Sequence, residues 1–234
     1  MSVPAYAKTQ GWTTEAMHAA FQVRPMVRED IQGVTDLWVS SFTTREPLMA
    51  HLGAPAFDAF SAFAEEKAAG MWQTGLTLVT VERHTSGSIV AFVTCEDLAS
   101  ARSEDLTKVP PELTPIFGLL KALSSDWSAQ NTPKHGEMLH VVAGGTSSKA
   151  EGKGLGLGMS KELIKLAQRR NFTSLLIEAT AGGSRHICEK LGATQVGVLK
   201  YADFVDANGS RPFATLTEPM GATLLHYRFP PPQE

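Results

Sequence analysis

The stretch GGTSSKAEGKGLGLGMSKEL, residues 144–163, decides how the rest of this sequence is interpreted. Glycine recurs through it, and it runs directly into a helical pattern in which Met159, Leu163 and Leu166 share one apolar face. A glycine-rich turn that opens into a helix brings unpaired, positively polarised backbone amides together, which suits a phosphate group. Lys153 adds a positive charge beside them. The pattern predicts a phosphate-binding loop, with a flexible surface loop at a helix start as the alternative.

Two better-known phosphate motifs do not fit this stretch. A P-loop requires GxxxxGK followed by Ser or Thr, and no Gly-Lys-Ser or Gly-Lys-Thr occurs here. A dinucleotide-binding fold places its glycines after an early strand and continues with alternating strands and helices. Here the glycines come roughly two-thirds along the chain, after a run of strand patterns. The stretch is therefore neither a P-loop nor a dinucleotide-binding motif.

The patterns on either side of the loop alternate between short strands and amphipathic helices. Strand patterns occur at 21–27, 77–82, 88–96, 139–143, 171–180, 194–201 and 222–229, and helical patterns at 28–42, 55–70, 112–127, 159–169 and 183–192. This order predicts one mixed α/β domain over residues 21–230, with a largely antiparallel twisted sheet of about seven strands flanked by helices. Residues 1–20 form an N-terminal extension, residues 99–134 a helical insertion, and residues 231–234 a tail.

The composition is that of an ordinary globular protein. The chain has 234 residues, of which 43% are hydrophobic and 19% charged, and its formal net charge is −3, so neither nucleic acid nor an anionic membrane is an expected partner. The N-terminus has no secretory signal pattern, and the only cysteines are Cys95 and Cys188, which favours a cytoplasmic location. The histidines are scattered without metal-ligand spacing, so no metal is expected. We expect a monomer or a homodimer.

The glycine loop and its flanks resemble the GCN5-related N-acetyltransferase superfamily. The resemblance covers the strand before the loop, the segment EGKGLG at 151–156, the following helix, the strand LLIEAT, and the segment CEKLGA at 188–193. It implies the acyl-CoA N-acyltransferase fold and acetyl-CoA as co-substrate. It also implies that the coenzyme A pyrophosphate binds the loop, and that the preceding strand offers backbone groups to the pantetheine arm and the thioester. The implied cofactor-binding residues are Gly144, Thr146, Gly152, Lys153, Gly154, Leu155 and Gly156.

A closer resemblance is to the insect-type arylalkylamine N-acyltransferases. It is carried by SFTTREPL at 41–48, the helical insertion PPELTPIFGLLKAL, the segment TAGGSRHICEKLG, and KYADFVDANGSRPFATL near the end. The resemblance implies transfer of an acetyl group to a small primary amine. Acceptors of other kinds, namely an amino acid, a polyamine or a protein N-terminus, and a non-catalytic acetyl-CoA-binding module are the alternatives.

Four residues are candidates for the chemistry. The resemblance implies that Glu46 is the general base that takes a proton from the amine, and that Thr180 and Ser184 supply hydroxyls near the reacting atoms. A solvated carboxylate, a strand end and a helix N-cap are their respective structural alternatives. His140, on the strand before the loop, is a candidate second base or relay, because its ordinary pKa of about 6.5 suits that task. Its structural alternative is a half-buried strand histidine that is only hydrogen-bonded. Strict alternation would place it on one face with Val142, Gly144 and Thr146.

Three residues depart from the patterns of the resembled families. Glu151 stands where a basic or amide side chain is usual at the head of the loop, and a carboxylate there repels a pyrophosphate. Cys188 replaces a tyrosine that protonates the leaving thiolate in many members. Arg45 replaces the usual acid before the base, and we expect it to be solvated.

Overall fold

The computed structural model describes residues 19–84, 87–101 and 108–230. Its sheet has seven strands in the order β1-β2-β3-β4-β5-β7-β6, and each neighbouring pair is antiparallel except β4 and β5. The strands are β1 (Phe21–Pro25), β2 (Leu78–Glu82), β3 (Ile89–Asp97), β4 (Met138–Thr146), β5 (Ser174–Ala179), β6 (Thr194–Lys200) and β7 (Gly221–Arg228). The predicted fold class is confirmed. The tail and nearly all of the N-terminal extension lie outside the described residues.

Within residues 21–230, where the structure describes them, the helices follow the predicted order with one addition. They are α1 (Ile31–Arg45), α2 (Pro47–Leu52), α3 (Ala54–Met71), α4 (Thr114–Gln130), α5 (Leu155–Arg169) and α6 (Gly182–Leu191). The short helix α2 was not predicted. It begins at Pro47, where the missing backbone N–H costs nothing because the first helical amides have no intrahelical partner. Glu46 therefore lies between the two helices, as the C-cap of α1 and the N-cap of α2.

Apolar side chains place the helices on the two faces of the sheet. The stripe of α5, including Met159 and Leu163, packs with β2 to β5 on one face. On the other face Trp38 of α1 packs against both Phe60 of α3 and Phe92 of β3. The helix α4 covers β5 to β7 on that second face. Burial of these stripes stabilises the layers by about 25 cal/mol per Å² of apolar area removed from water.

The parallel strands β4 and β5 pair over only part of their length. Their register runs from Met138 opposite Ser174 to Val141 opposite Ile177. Beyond this point β4 continues to Thr146 paired with β3, while β5 continues paired with β7. The two strands therefore separate at their carboxyl ends and leave an opening in the sheet.

A β-bulge at Val142 corrects the predicted alternation along β4. Cys95 pairs with Val141 and Thr94 pairs with Ala143, so the residue between them on β4 has no opposite partner. Both residues 142 and 143 then pack on the α1 face. A Cβ added to Gly144 would lie 3.9 Å from the Val93 side chain, which belongs to the α5 face. Gly144 and His140 therefore face opposite sides of the sheet, and the prediction that they share a face is wrong.

Candidate active site

A single cleft of about 1750 Å³ occupies the opening between β4 and β5 and extends along the glycine loop. The residues that line it include every predicted site residue: Glu46, His140, Gly144, Thr146, Gly152, Lys153, Gly154, Leu155, Gly156, Thr180 and Ser184. They come from the α1–α2 joint, β4, the loop, the start of α5, the end of β5 and α6. The fold therefore places the glycine loop and the candidate catalytic residues in the same cleft.

The glycine loop forms a backbone cradle at the start of α5. Gly154 caps the helix with φ = +78°, a conformation that favours glycine. The amides of residues 155–157 precede the first intrahelical bond, which runs from Gly158 N to Gly154 O, so they have no helical acceptor. The side chain of Leu155 is buried in the core, which leaves only its amide for a ligand. This cradle fits a pyrophosphate, because unpaired amides and the positive end of the helix dipole attract anions.

A close approach between helices shapes the same cradle. A Cβ added to Gly156 would lie 2.7 Å from Cδ1 of Ile187 on α6. A larger residue at this position would require the end of the Ile187 side chain to move aside. The Lys153 ammonium lies 5.4 Å from the centroid of the Phe21 ring, at the edge of the loop.

The carboxylate at the head of the loop is paired. Glu151 forms an ion pair with Arg45, the last residue of α1. The Arg45 guanidinium also donates to the carbonyl oxygen of Thr146 and, at 3.0 Å, to the hydroxyl of Ser41. The expectation that Arg45 is simply solvated is therefore wrong.

The Glu46 carboxyl is buried, with only 8% of the residue exposed. Its Oε2 accepts a 2.6 Å hydrogen bond from the Met49 backbone N–H, which fixes the side chain as the cap of α2. Its Oε1 is buried and has no hydrogen-bond partner among the described residues. Burial raises the pKa of Glu46, and the Met49 amide, the Thr180 hydroxyl and the Leu48 amide only partly oppose this. The alternative of a solvated carboxylate is excluded.

Thr180 follows β5 and lies beside Glu46. Its hydroxyl acts to lower the pKa of the carboxyl, although its geometry falls short of a regular hydrogen bond to Oε1. The backbone carbonyl of Thr180 accepts a 2.7 Å hydrogen bond from the hydroxyl of Tyr201, a fully buried residue that follows β6. Burial, together with the Glu46 carboxyl, raises the pKa of Tyr201. Tyr201 lies in the segment KYADFVDANGSRPFATL, which carries part of the family resemblance, but it was not among the predicted site residues.

Ser184 lies at the third position of α6. Its hydroxyl donates a 2.8 Å hydrogen bond to the carbonyl oxygen of Ala181. The N-cap of α6 is Ala181, and no side chain caps the helix, so the N-cap interpretation of Ser184 is wrong. Ser184 lines the cleft, and its part in the chemistry stays a prediction.

His140 lies between two carboxylates contributed by the neighbouring strands. Its Nδ1 is 2.9 Å from Oε1 of Glu96 on β3, and its Nε2 is 2.8 Å from Oε2 of Glu178 on β5. Burial alone would lower the pKa of His140, but Glu178 and Glu96 raise it to about 10. The ring is then an imidazolium at neutral pH, which has no lone pair to accept a proton. A role as second base is unfavourable here, while a relay role stays a prediction.

The group Glu96–His140–Glu178, called the acidic triad below, carries a net charge of −1 when both carboxylates are ionised and the imidazole is protonated. All three residues line the cleft. Glu96 and Glu178 were not among the predicted site residues. The available signal was a charged residue inside each apolar strand run, at SIVAFVTCE and LLIEAT.

Cys188 also lines the cleft, at the position where the resembled superfamily has tyrosine. The thiol is buried and free, and Cys95 is likewise buried and free. Burial raises the pKa of Cys188 to about 11, with a smaller contribution from Glu189. Cys188 therefore keeps its proton at neutral pH.

Aromatic side chains from three helices wall the cleft on the α1 face. These are Trp38, Phe42, Phe60, Phe63 and Phe117. The rings of Phe42 and Phe60 stack with centroids 5.4 Å apart, and those of Phe63 and Phe117 meet edge-on at 5.3 Å. This wall suits an apolar or aromatic group.

No group of three or more His, Cys, Asp or Glu side chains within the described ranges is arranged to hold a metal ion. The described helices are also too short or too polar to cross a membrane.

No protein-family model matches the sequence, and no curated protein is significantly similar to it. The structure is similar to the C-terminal condensation domain of Ebony in complex with β-alanyl-dopamine, with a TM-score of 0.81, 18% identity, and coverage of 89% of this chain and 99% of that chain. It is also similar to arylalkylamine N-acetyltransferase 2 from Aedes aegypti, with a TM-score of 0.74, 18% identity, and coverage of 89% and 98%. A third similar structure is the Drosophila melanogaster polyamine N-acetyltransferase that forms N-acetylagmatine, with a TM-score of 0.72, 19% identity, and coverage of 89% and 100%.

These likenesses confirm the fold that the resemblance implied.

Proposed function

We propose that this chain, which has the fold of the N-acetyltransferases, transfers an acetyl group from acetyl-CoA to a small primary amine with Glu46 as the general base. One observation carries the proposal. The Glu46 carboxyl is held by the Met49 amide through one oxygen, while the other oxygen is buried and unpartnered among the described residues, in the same cleft as the glycine loop. A buried acceptor without a donor is costly, so its retention favours a functional role.

The glycine loop and the end of β4 are the residues that would hold acetyl-CoA. The amides at the start of α5 would bind the pyrophosphate, and the pantetheine arm would lie along Gly144, on the part of β4 that is not paired with β5. The Thr146 carbonyl accepts from Arg45, so it contributes to the shape of the loop. When bound, acetyl-CoA supplies the thioester whose carbonyl carbon the amine attacks.

Glu46 would remove a proton from the ammonium or from the attacking amine. Most alkylamines are protonated near neutral pH and are not nucleophilic in that form. A carboxylate whose pKa is raised is a better match to this task than a solvated one, because a stronger base holds the proton more firmly. Thr180 lies where its hydroxyl orients that carboxyl or passes the proton.

Cys188 would leave the chemistry undisturbed. Because its pKa is about 11, it remains a thiol at neutral pH and does not compete with the amine for the acetyl group. The thiol is able to hydrogen-bond the departing sulfur, which is a weaker contribution than that of a tyrosine hydroxyl.

The lining of the cleft favours an amine with an apolar or aromatic body. The aromatic wall offers stacking and edge contacts, as an arylalkylamine would use. The acidic triad favours a cationic acceptor over one that carries a carboxylate, such as a free amino acid. For the same reason a polyamine-like acceptor with a second cationic group is the second candidate.

Thiol release from acetyl-CoA tests the proposal. The purified protein is assayed with tryptamine, tyramine, a diamine and an amino acid, with Glu46→Gln beside it and Glu66→Gln on the exposed side of α3 as the matched control. We expect release with at least one amine, a loss of about 10²-fold or more in Glu46→Gln, and no change in Glu66→Gln. Coenzyme A should bind both variants as it binds the unmodified protein.

Two outcomes would overturn this function. If acetyl-CoA binds but no amine releases thiol, the chain is a binding module. If acetyl-CoA does not bind, the interpretation of the loop is wrong.

A further inference from the structure

Arg45 links two elements on which the proposed reaction depends. It is the last residue of α1 and directly precedes Glu46. Its guanidinium contacts both ends of the segment that joins β4 to the glycine loop, namely the Thr146 carbonyl and the Glu151 carboxylate.

Direct packing between α1 and β4 supports this contact. A Cβ added to Gly145 would lie 3.0 Å from Oγ of Ser41 and 2.7 Å from Cε1 of Phe92. Only a residue without a side chain lets α1 approach the β4 backbone so closely. Ser41 also accepts the 3.0 Å hydrogen bond from Arg45. The guanidinium therefore has three partners: the Ser41 hydroxyl, the Thr146 carbonyl and the Glu151 carboxylate.

The contact between Arg45 and Glu151 matters because Glu151 is negatively charged. A carboxylate at the head of a loop that receives a pyrophosphate repels that ligand, and the repulsion acts over the Debye length of roughly 10 Å at 0.1 M salt. The ion pair with Arg45 cancels this charge locally. The guanidinium is the right group for this because it stays protonated at any working pH and presents several donors in fixed directions.

We propose that Arg45 is a positioning residue for coenzyme A: held in place by the Thr146 carbonyl and the Ser41 hydroxyl, it neutralises Glu151, so that the loop amides accept the pyrophosphate. This inference rests on the proposed function, because it concerns the same ligand at the same loop.

The test is a double-mutant cycle on coenzyme A affinity, measured by titration calorimetry with coenzyme A itself. Arg45→Ala exposes the Glu151 charge and should weaken binding about tenfold. Glu151→Gln should change binding by less than about threefold, because no unpaired carboxylate remains. The combined variant Arg45→Ala with Glu151→Gln should bind within about threefold of the unmodified protein, because the repelling charge is gone. Arg169→Ala, an exposed arginine at the end of α5, is the control for net charge.

Salt supplies a readout that a merely structural role would not move. The defect of Arg45→Ala should shrink between 50 and 500 mM NaCl, because screening weakens the repulsion by Glu151. In kinetic assays the defect should appear in the KM for acetyl-CoA more than in kcat.

The outcomes separate this inference from the proposed function. Failure of the unmodified protein to bind coenzyme A would overturn both. Normal binding by Arg45→Ala would overturn the inference alone. Equal weakness of Arg45→Ala with and without Glu151→Gln would also overturn it, since Arg45 would then act on the ligand directly.

Discussion

The hydroxyl of Tyr201 donates a 2.7 Å hydrogen bond to the carbonyl oxygen of Thr180. A residue that follows β6 thereby fixes the chain just past β5, where the Thr180 hydroxyl lies beside Glu46. The candidate base is therefore supported from two directions, by the α2 amide at Met49 and by this buried contact.

Removal of the Tyr201 hydroxyl should loosen this support. In Tyr201→Phe the Thr180 carbonyl loses its donor, so we expect a loss of about 1–3 kcal/mol in the free energy of unfolding. We expect kcat to fall by about threefold to tenfold, because an interaction that orients the base is worth roughly 1 kcal/mol. Urea unfolding and steady-state rates measure the two effects. Tyr227→Phe, whose ring packs on the α5 face, is the control; equal effects in both variants would contradict the role of Tyr201.

The pH dependence of the rate should report Glu46. Burial raises its pKa above the ordinary value of 4.5, and the base must be ionised to act. The rate constant kcat/KM should therefore rise with pH along an acid limb that lies above pH 4.5. Glu46→Gln should remove that limb and leave only the titration of the amine. An unchanged profile in this variant would show that another group is the base.

The acidic triad should make stability depend on pH. The pKa of His140 is raised from 6.5 to about 10 in the folded protein, so its contribution to stability is fully present below pH 6.5 and is lost as the pH rises to 10. We expect the difference in unfolding free energy between the unmodified protein and His140→Gln to shrink over this window. Urea unfolding at pH 6.5, 8 and 9.5 measures it, and a constant difference would contradict an imidazolium at this position.

Each carboxylate of the triad should hold the proton on His140. Glu178→Gln should lower the pKa of His140 more than Glu96→Gln, because the Glu178 charge makes the larger contribution. NMR titration of the imidazole measures both shifts. If neither substitution moves the pKa, the contacts seen between the strands do not persist in solution.

The glycine at the cap of α5 should be required for coenzyme A. Gly154 adopts φ = +78°, so Gly154→Val strains the backbone by about 1–3 kcal/mol and turns the loop amides away from the ligand. We expect the coenzyme A dissociation constant to rise at least about tenfold, which corresponds to 1.4 kcal/mol. Gly70→Ala, in α3 where an added Cβ meets nothing within 4 Å, is the matched control and should bind normally. Normal binding of coenzyme A by Gly154→Val would show that the glycines form an ordinary loop with no role in binding this ligand.

Local signals made much of the fold predictable. The periodicity of apolar residues predicted the order of the strands and helices. The glycines of 152–156 predicted the loop, and the apolar stripe that follows them predicted α5. Glu46 was identifiable only through the resemblance, which is carried at this point by SFTTREPL at 41–48. The short helix α2 was missed, since six residues give no readable period.

The sequence by itself determined the α/β class, the glycine loop and the place of the candidate base. Only the tertiary structure decided what surrounds them. The bulge at Val142 separates His140 from Gly144, and an alternation argument has no means of detecting an extra residue in a strand. The partners of His140 and the pairing of Arg45 with Glu151 depend on register between strands and on the position of α1 over β4. Those contacts join residues far apart in the chain, so no local pattern contains them.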